Sequence, residues 1–198
     1  MVEVEVKFKL TEAEQQKLIE NAQFIEEYEF TDVYYDTSDY ALSTNDIWLR
    51  TRNGKYILKM PLPTTSHILK EQKNSPKKEI EDLNEIATAL KLGLKYPLIE
   101  ENLFEAGIIP LYEFRNIRKK YTKEGFIIDF DTAIFEDFIY QTCEIELIVD
   151  NENEIESAIK KIELFAKKHD IAIAHVEGRL IEYIRRKNPE HYQKLMKK

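Results

Sequence analysis

The chain has one cysteine, one tryptophan, five glycines and six prolines among 198 residues. A single thiol, Cys143, excludes an internal disulfide framework and any cysteine-built zinc cluster. Beside Glu144 in an apolar run, it reads as a buried, inert thiol. The four histidines, His67, His169, His175 and His191, lack metal-ligand spacing, which leaves carboxylates as the ligand set for any cation. No apolar run reaches the roughly 18 residues a membrane helix needs, and Met1 leads straight into a charged strand without a leader-like segment. The expectation is a soluble, cytoplasmic protein with no membrane partner. Positive charge is also short: 29 Lys and Arg stand against 37 Asp and Glu, a net charge of -8. That argues against general nucleic-acid binding while leaving room for a local basic pocket. Internal repeats and low-complexity segments are absent as well.

What is present is 43% hydrophobic content, enough to bury a core in one domain spanning 1–198, with C-terminal helices over about 178–198. The opening run from Val2 to Leu10 alternates apolar and charged residues, so a β-strand here puts Glu3, Glu5, Lys7 and Lys9 on one face. The same device returns in Arg50/Arg52, Glu79/Glu81, Arg118/Lys120, Asp129/Asp131 and Glu144/Glu146. A charged face cannot become the dry core of a sandwich. Either these faces meet solvent, or they line a wet barrel lumen whose apolar exterior is covered by helices. In a lumen, acids able to grip divalent cations would sit beside bases able to grip a polyanion, and a polyphosphate is the ligand that fits both.

Local signals order the rest. Thr11 and Glu14 have capping-box spacing, so a helix is expected over 12–22. Phe24 to Asp36 is aromatic and β-branched and predicts a strand. Ile47–Arg52 and Tyr56–Pro61 flank Asn53-Gly54, the signature of a type I′ hairpin. Residues 62–76 predict a mobile loop or a ragged strand, one that could act as a lid. A strand over Lys77–Glu81 and helices over 82–92 and 98–106 follow. Ile108–Tyr121, Phe126–Phe135 and Phe138–Val149 predict a meander. Ile155, Ala158, Ile159, Ile162 and Phe165 recur at helical spacing within Asn151–Lys168. Arg179–Arg186 predicts a further helix, and Asn188-Pro189 caps and starts a last one reaching Met196.

Glu3-Val4-Glu5-Val6-Lys7 resembles the ExExK signature of the CYTH superfamily, the triphosphate tunnel metalloenzymes. Further matches follow in the family's order: Tyr34-Tyr35-Asp36-Thr37, Trp48-Leu49-Arg50-Thr51-Arg52, Leu58-Lys59, Lys78-Glu79-Ile80-Glu81, Arg118, Ile128-Asp129-Phe130-Asp131, Glu144-Ile145-Glu146-Leu147 and Arg179. Arg179 stands where family members commonly have lysine, and 62–81 matches least. The spacing around Trp48 and the closing Tyr183 to Leu195 region look most like the thiamine-triphosphatase branch. The resemblance implies an α+β fold, an eight-stranded antiparallel β-barrel or triphosphate tunnel with helices packed outside.

It also implies roles. Lys7, Arg50, Arg52, Lys59, Arg118 and Arg179 would bind phosphate oxygens, the arginines as planar forks. Glu3, Glu5, Asp131, Glu144 and Glu146 would hold Mg2+ or Mn2+, hard cations that favour such oxygens. Glu3, Glu5, Lys7, Asp131, Glu144 and Glu146 would form the catalytic set, with Glu79 or Glu81 as proton acceptor. Trp48 is on the strand face of Arg50 and Arg52, where its ring could stack on an organic group of the substrate. The activity implied is metal-dependent hydrolysis of inorganic triphosphate or thiamine triphosphate by a monomer or homodimer. The alternatives are a class IV adenylate cyclase making cyclic AMP and diphosphate, and a non-catalytic polyphosphate-binding module.

Overall fold

A computed structural model describes residues 2–61, 77–174 and 176–197. The lid expected over 62–76 lies outside the described residues. The alternating segments form β1 (Val2–Phe8), β2 (Gln23–Thr37), β3 (Trp48–Arg52), β4 (Lys55–Pro61), β5 (Lys77–Ile80), β6 (Ile108–Lys123), β7 (Phe126–Ile134) and β8 (Ile139–Val149). The helices are α1 (Glu12–Ile19), α2 (Leu83–Ala89), α3 (Ile99–Glu105), α4 (Ile155–Lys168), α5 (Arg179–Lys187) and α6 (Pro189–Met196). The strands are hydrogen-bonded in the order β1-β8-β7-β6-β2-β3-β4-β5, eight in one sheet. The α+β class, the eight strands and the β6-β7-β8 meander expected from the sequence are therefore present. Among the described residues, no helix is long and apolar enough to cross a membrane.

Two local outcomes have clear causes. Asn53 and Gly54 both take positive φ, 48° and 82°, the pair of angles a type I′ turn requires. The expected helix over 12–22 ends at Ile19 instead. Asn21 turns left-handed at φ 60°, and the Lys123 ammonium donates to the Leu18 and Glu20 carbonyls, satisfying acceptors that a longer helix would have used.

The chain packs as two compact units. The first comprises Met1–Glu29 and Asn116–Lys187. Here β1 lies antiparallel to β8 with Glu5 opposite Glu146 and Lys7 opposite Glu144. β7 lies antiparallel to β8 with Asp129 opposite Glu144 and Asp131 opposite Thr142. Because neighbours on one strand alternate faces, Glu3, Glu5, Lys7, Asp129, Asp131, Thr142, Glu144 and Glu146 share one side. The reverse side buries Val4, Phe8, Ile128, Cys143 and Ile145. Against β1 and β8 packs α4, burying Ile155, Ala158, Ile162, Phe165 and Ala166. Of these, Ile155, Ile162 and Phe165 each contribute about 1.5–3 kcal/mol.

The second unit comprises Phe30–Arg115 and Asn188–Lys198. Its core gathers Leu49, Tyr56, Leu58, Ile80, Ile86, Leu103 and Ile108. Buried Asn102 accepts from the Lys95 and Tyr96 amides and donates to the Tyr96 and Leu98 carbonyls, fixing an irregular stretch that has no ladder of its own. The start of α6 is set by Asn188, whose side chain accepts from the His191 amide. His191 is buried, with Nε2 2.8 Å from Ser43 Oγ, Nδ1 2.7 Å from the Tyr112 hydroxyl, and its ring stacked on Tyr40 at 3.8 Å. Burial, opposed by the Asp36 carboxylate, lowers the His191 pKa to about 4.

Candidate functional site

On the charged face of the first unit, β6 projects Arg118 into the acids of β7 and β8. Its Nε and one terminal nitrogen fork onto Asp131 at 2.7 and 2.6 Å. That terminal nitrogen also reaches Glu144 at 2.8 Å; the other bonds Asp129 and lies 4.0 Å from Glu146. From the start of α5, Arg179 comes within 2.9 Å of Asp131 and 3.3 Å of the Asn116 side-chain oxygen. Lys120 bonds Asp129 at 3.0 Å. Lys7 bonds Glu5 and lies 3.3 Å from Glu144. Burial alone would lower the pKa of Lys7, but the carboxylates Glu144 and Glu5 outweigh it and hold the ammonium charged above its ordinary range. Arg118 follows the same logic through Asp131, Glu144 and Asp129.

Six carboxylates, Glu3, Glu5, Asp129, Asp131, Glu144 and Glu146, thus share this face with four bases, Lys7, Arg118, Lys120 and Arg179. Three of the acids converge: Glu3, Glu5 and Glu146 each bring one oxygen, all within 4.8 Å of one another. Glu5 and Glu146 are directly opposed on neighbouring strands, a pairing of like charges that destabilises a sheet unless a cation sits with it. Burial first, then Asp129, Glu3 and Glu144, push the Glu146 carboxyl up to about 9. An all-oxygen donor set of three converging carboxyl groups fits a hard divalent cation such as Mg2+ or Mn2+.

The second unit carries its own charged cluster on β2 to β5. Arg52 forks onto buried Asp32 at 2.9 and 3.1 Å and stacks over Phe30 at 3.9 Å. Arg50 lies 3.7 Å from Asp32, 3.9 Å from Glu79 and 3.5 Å from the Tyr34 hydroxyl, and its Nε has no partner among the described residues. Lys59 meets Glu79 at 2.5 Å. Trp48 is opposite Lys59, and its indole N–H donates to Asp46 at 2.9 Å, while Lys77 holds the other oxygen of Asp46 at 2.7 Å. Glu81 is exposed, one residue past β5.

Of the five acids assigned to metal from the sequence, the structure groups Glu3, Glu5 and Glu146, while Asp131 and Glu144 are engaged by Arg118, Arg179 and Lys7. Lys7, Arg118 and Arg179 meet those acids directly. Arg50, Arg52, Lys59, Trp48 and Glu79 lie together in the second unit. Asp129 and Lys120 were legible as charged alternations but had no assigned role; the 3.0 Å pair they form lies inside the cluster. Asp32 and Asp46 carried no signal, since neither belongs to a charged pair two residues apart.

Comparison with known proteins gives a CYTH domain over residues 1–175. Human thiamine-triphosphatase is 26% identical over 215 residues, covering 99% of this chain and 90% of that one. Among solved structures, a Pyrococcus horikoshii OT3 protein superposes with a TM-score of 0.64 at 22% identity, covering 93% of this chain and 99% of its own. A Hippeastrum protein described as a candidate adenylyl cyclase with a dominant triphosphatase activity gives a TM-score of 0.54 at 18% identity, with coverage of 93% and 94%. At these identities the two structures speak for the fold.

Proposed function

The chain belongs to the CYTH family, and from that premise we propose that it is a divalent-cation-dependent triphosphatase, hydrolysing the terminal phosphoanhydride of inorganic triphosphate or thiamine triphosphate. The observation that carries this reading is the composition of the first unit's charged face: bases preset in carboxylate cradles beside three glutamates converging within 4.8 Å. Glu3, Glu5 and Glu146 would hold Mg2+ or Mn2+. When bound, the cation supplies neutralisation of phosphate charge and lowers the pKa of a coordinated water.

The chain's own residues do the rest. Lys7, Arg118 and Arg179 already donate to carboxylate oxygens, and non-bridging phosphoryl oxygens present the same acceptor geometry. Binding is an exchange of partners in which Asp131 and Glu144 are released as phosphate takes their bases, and the freed acids become available to a second cation. Arg50, Arg52 and Lys59 are assigned to phosphate as well, each now resting on Asp32 or Glu79. Glu79, 2.5 Å from the Lys59 ammonium and 3.9 Å from Arg50, is the better placed of the two candidate proton acceptors, since Glu81 lies past the end of β5. Trp48, its ring orientation fixed through Asp46, is assigned to an organic group on the substrate. Water attacks the terminal phosphorus, the P–O bond to the bridging oxygen breaks, and diphosphate or its ester leaves.

Phosphorus NMR of the protein with Mg2+ or Mn2+, offered inorganic triphosphate, thiamine triphosphate and ATP in separate reactions, tests the proposal. Orthophosphate released from one of the first two, and abolished by chelation, is expected. Diphosphate with cyclic AMP from ATP would replace it with the cyclase reaction, and binding without turnover would replace it with a non-catalytic module.

A further inference from the structure

Two buried polar atoms on the charged face of the first unit have no hydrogen-bond partner among the described residues: Asp129 Oδ1 and Thr142 Oγ1. Asp129 keeps its other oxygen on Arg118 and Lys120, so its orphan is one lone-pair site of an already paired carboxylate. Thr142 differs because its hydroxyl is its whole polar function. The residue is only 4% exposed, and a hydroxyl buried without a partner costs about 1–3 kcal/mol.

The register says which side that hydroxyl serves. Thr142 is two residues before Glu144 on β8 and directly opposite Asp131 on β7, and residues two apart share a face. Its neighbours there are the acids that hold Arg118, Arg179 and Lys7. The preceding residue on β8, Gln141, bonds Thr132 on the opposite face, so the polar contact on that side does not involve Thr142. A hydroxyl can rotate its proton to suit whichever acceptor arrives. Every other donor of this cluster begins on a carboxylate and must exchange; Thr142 begins without a partner.

We propose that Thr142 is a substrate-contacting residue whose hydroxyl donates to a non-bridging oxygen of the bound triphosphate. The contact rests on the triphosphatase reading above and extends it to a residue that no charge pattern marks. It discriminates in favour of a phosphoryl oxygen over a neutral group, because an acceptor bearing negative charge strengthens the bond.

The test is calorimetric titration of inorganic triphosphate, with and without Mg2+, into the intact protein and into Thr142→Val and Thr142→Ser, with thermal unfolding of each. Valine keeps the shape and removes the hydroxyl. Thr142→Val is expected to bind triphosphate about tenfold more weakly or worse, with a Tm equal to or above that of the unsubstituted protein, and Thr142→Ser is expected to restore most of the affinity. Unchanged affinity in Thr142→Val, with triphosphate still bound by the parent, overturns the role of Thr142 and leaves the triphosphatase reading standing. A Tm lowered by several degrees in Thr142→Val overturns it too, since the hydroxyl would then serve the fold. No binding of triphosphate by the unsubstituted protein overturns both readings together.

Discussion

Replacing Glu146 by glutamine keeps its size and takes one carboxylate ligand out of the three-glutamate group. In the cation-free protein the Glu146 carboxyl, pushed up to about 9, is already neutral near pH 7, so Glu146→Gln is expected to match or exceed the parent Tm. With Mn2+ the order reverses, because the upward Tm shift that binding gives the parent is expected to shrink or vanish, with an affinity loss of at least about tenfold. Thermal scans with and without Mn2+ read both effects. Arg118 behaves in the opposite way: it is the shared partner of Asp129, Asp131 and Glu144, and its removal strands charges that are 0–5% exposed. Arg118→Ala is expected to destabilise the protein by about 3–5 kcal/mol in urea unfolding. These residues differ in how legible they are. Glu144 and Glu146 stand out because two acids, two apart, flank an isoleucine. Arg118 stands out as a charge, but its threefold partnership depends on the alignment of β6 with acids up to 26 positions away, and no periodicity encodes that. Thr142 is silent, because threonine is at home in any strand.

At the scale of elements, α6 is tied to the turn at Ser43–Asn45 and to β6 through His191. Above about pH 6.5 this histidine is neutral in the folded and the unfolded chain alike, so its contacts carry no titration cost. As pH falls below that value the unfolded chain takes up the proton first, and stability is lost progressively until the folded-state pKa near 4 is passed. The loss from this one group is at most about 3 kcal/mol. Urea unfolding between pH 7 and pH 4 is expected to show that loss, and His191→Gln is expected to flatten the profile while lowering stability at pH 7. The elements themselves were largely readable from local chemistry. The Asn188-Pro189 start of α6, the Asn53-Gly54 turn and the Ile155-to-Phe165 stripe of α4 all act within a few residues. Boundaries set by distant groups were not, as when Lys123 closes α1 at Ile19 from more than 100 positions away.

For the whole molecule, a ligand raises stability only where binding is coupled to opening. Cation at Glu3, Glu5 and Glu146 is expected to slow amide exchange in peptides covering β1, β7 and β8 and to leave peptides from α2 and α3 unchanged. Hydrogen-exchange mass spectrometry with and without Mn2+ measures the difference, and equal protection everywhere would place the cation elsewhere or make its effect global. The order of strands in the sheet belongs to this scale as well. Alternation told which residues share a face on each strand, but the placing of β2 next to β6 rather than β1 follows from how the chain travels, which local pattern leaves open.

The two-residue repeat has a consequence for how such a chain can change its length. Deleting one residue between Ile139 and Thr142 would shift the following part of β8 by one step against β7, turning Glu144 and Glu146 toward the apolar side and offering Cys143 and Ile145 to the ions. Sequence drift in these strands is therefore confined to exchange of one residue for another. Insertions and deletions are better tolerated in connections outside the hairpins, such as the stretch between α2 and α3, where no strand register has to be kept.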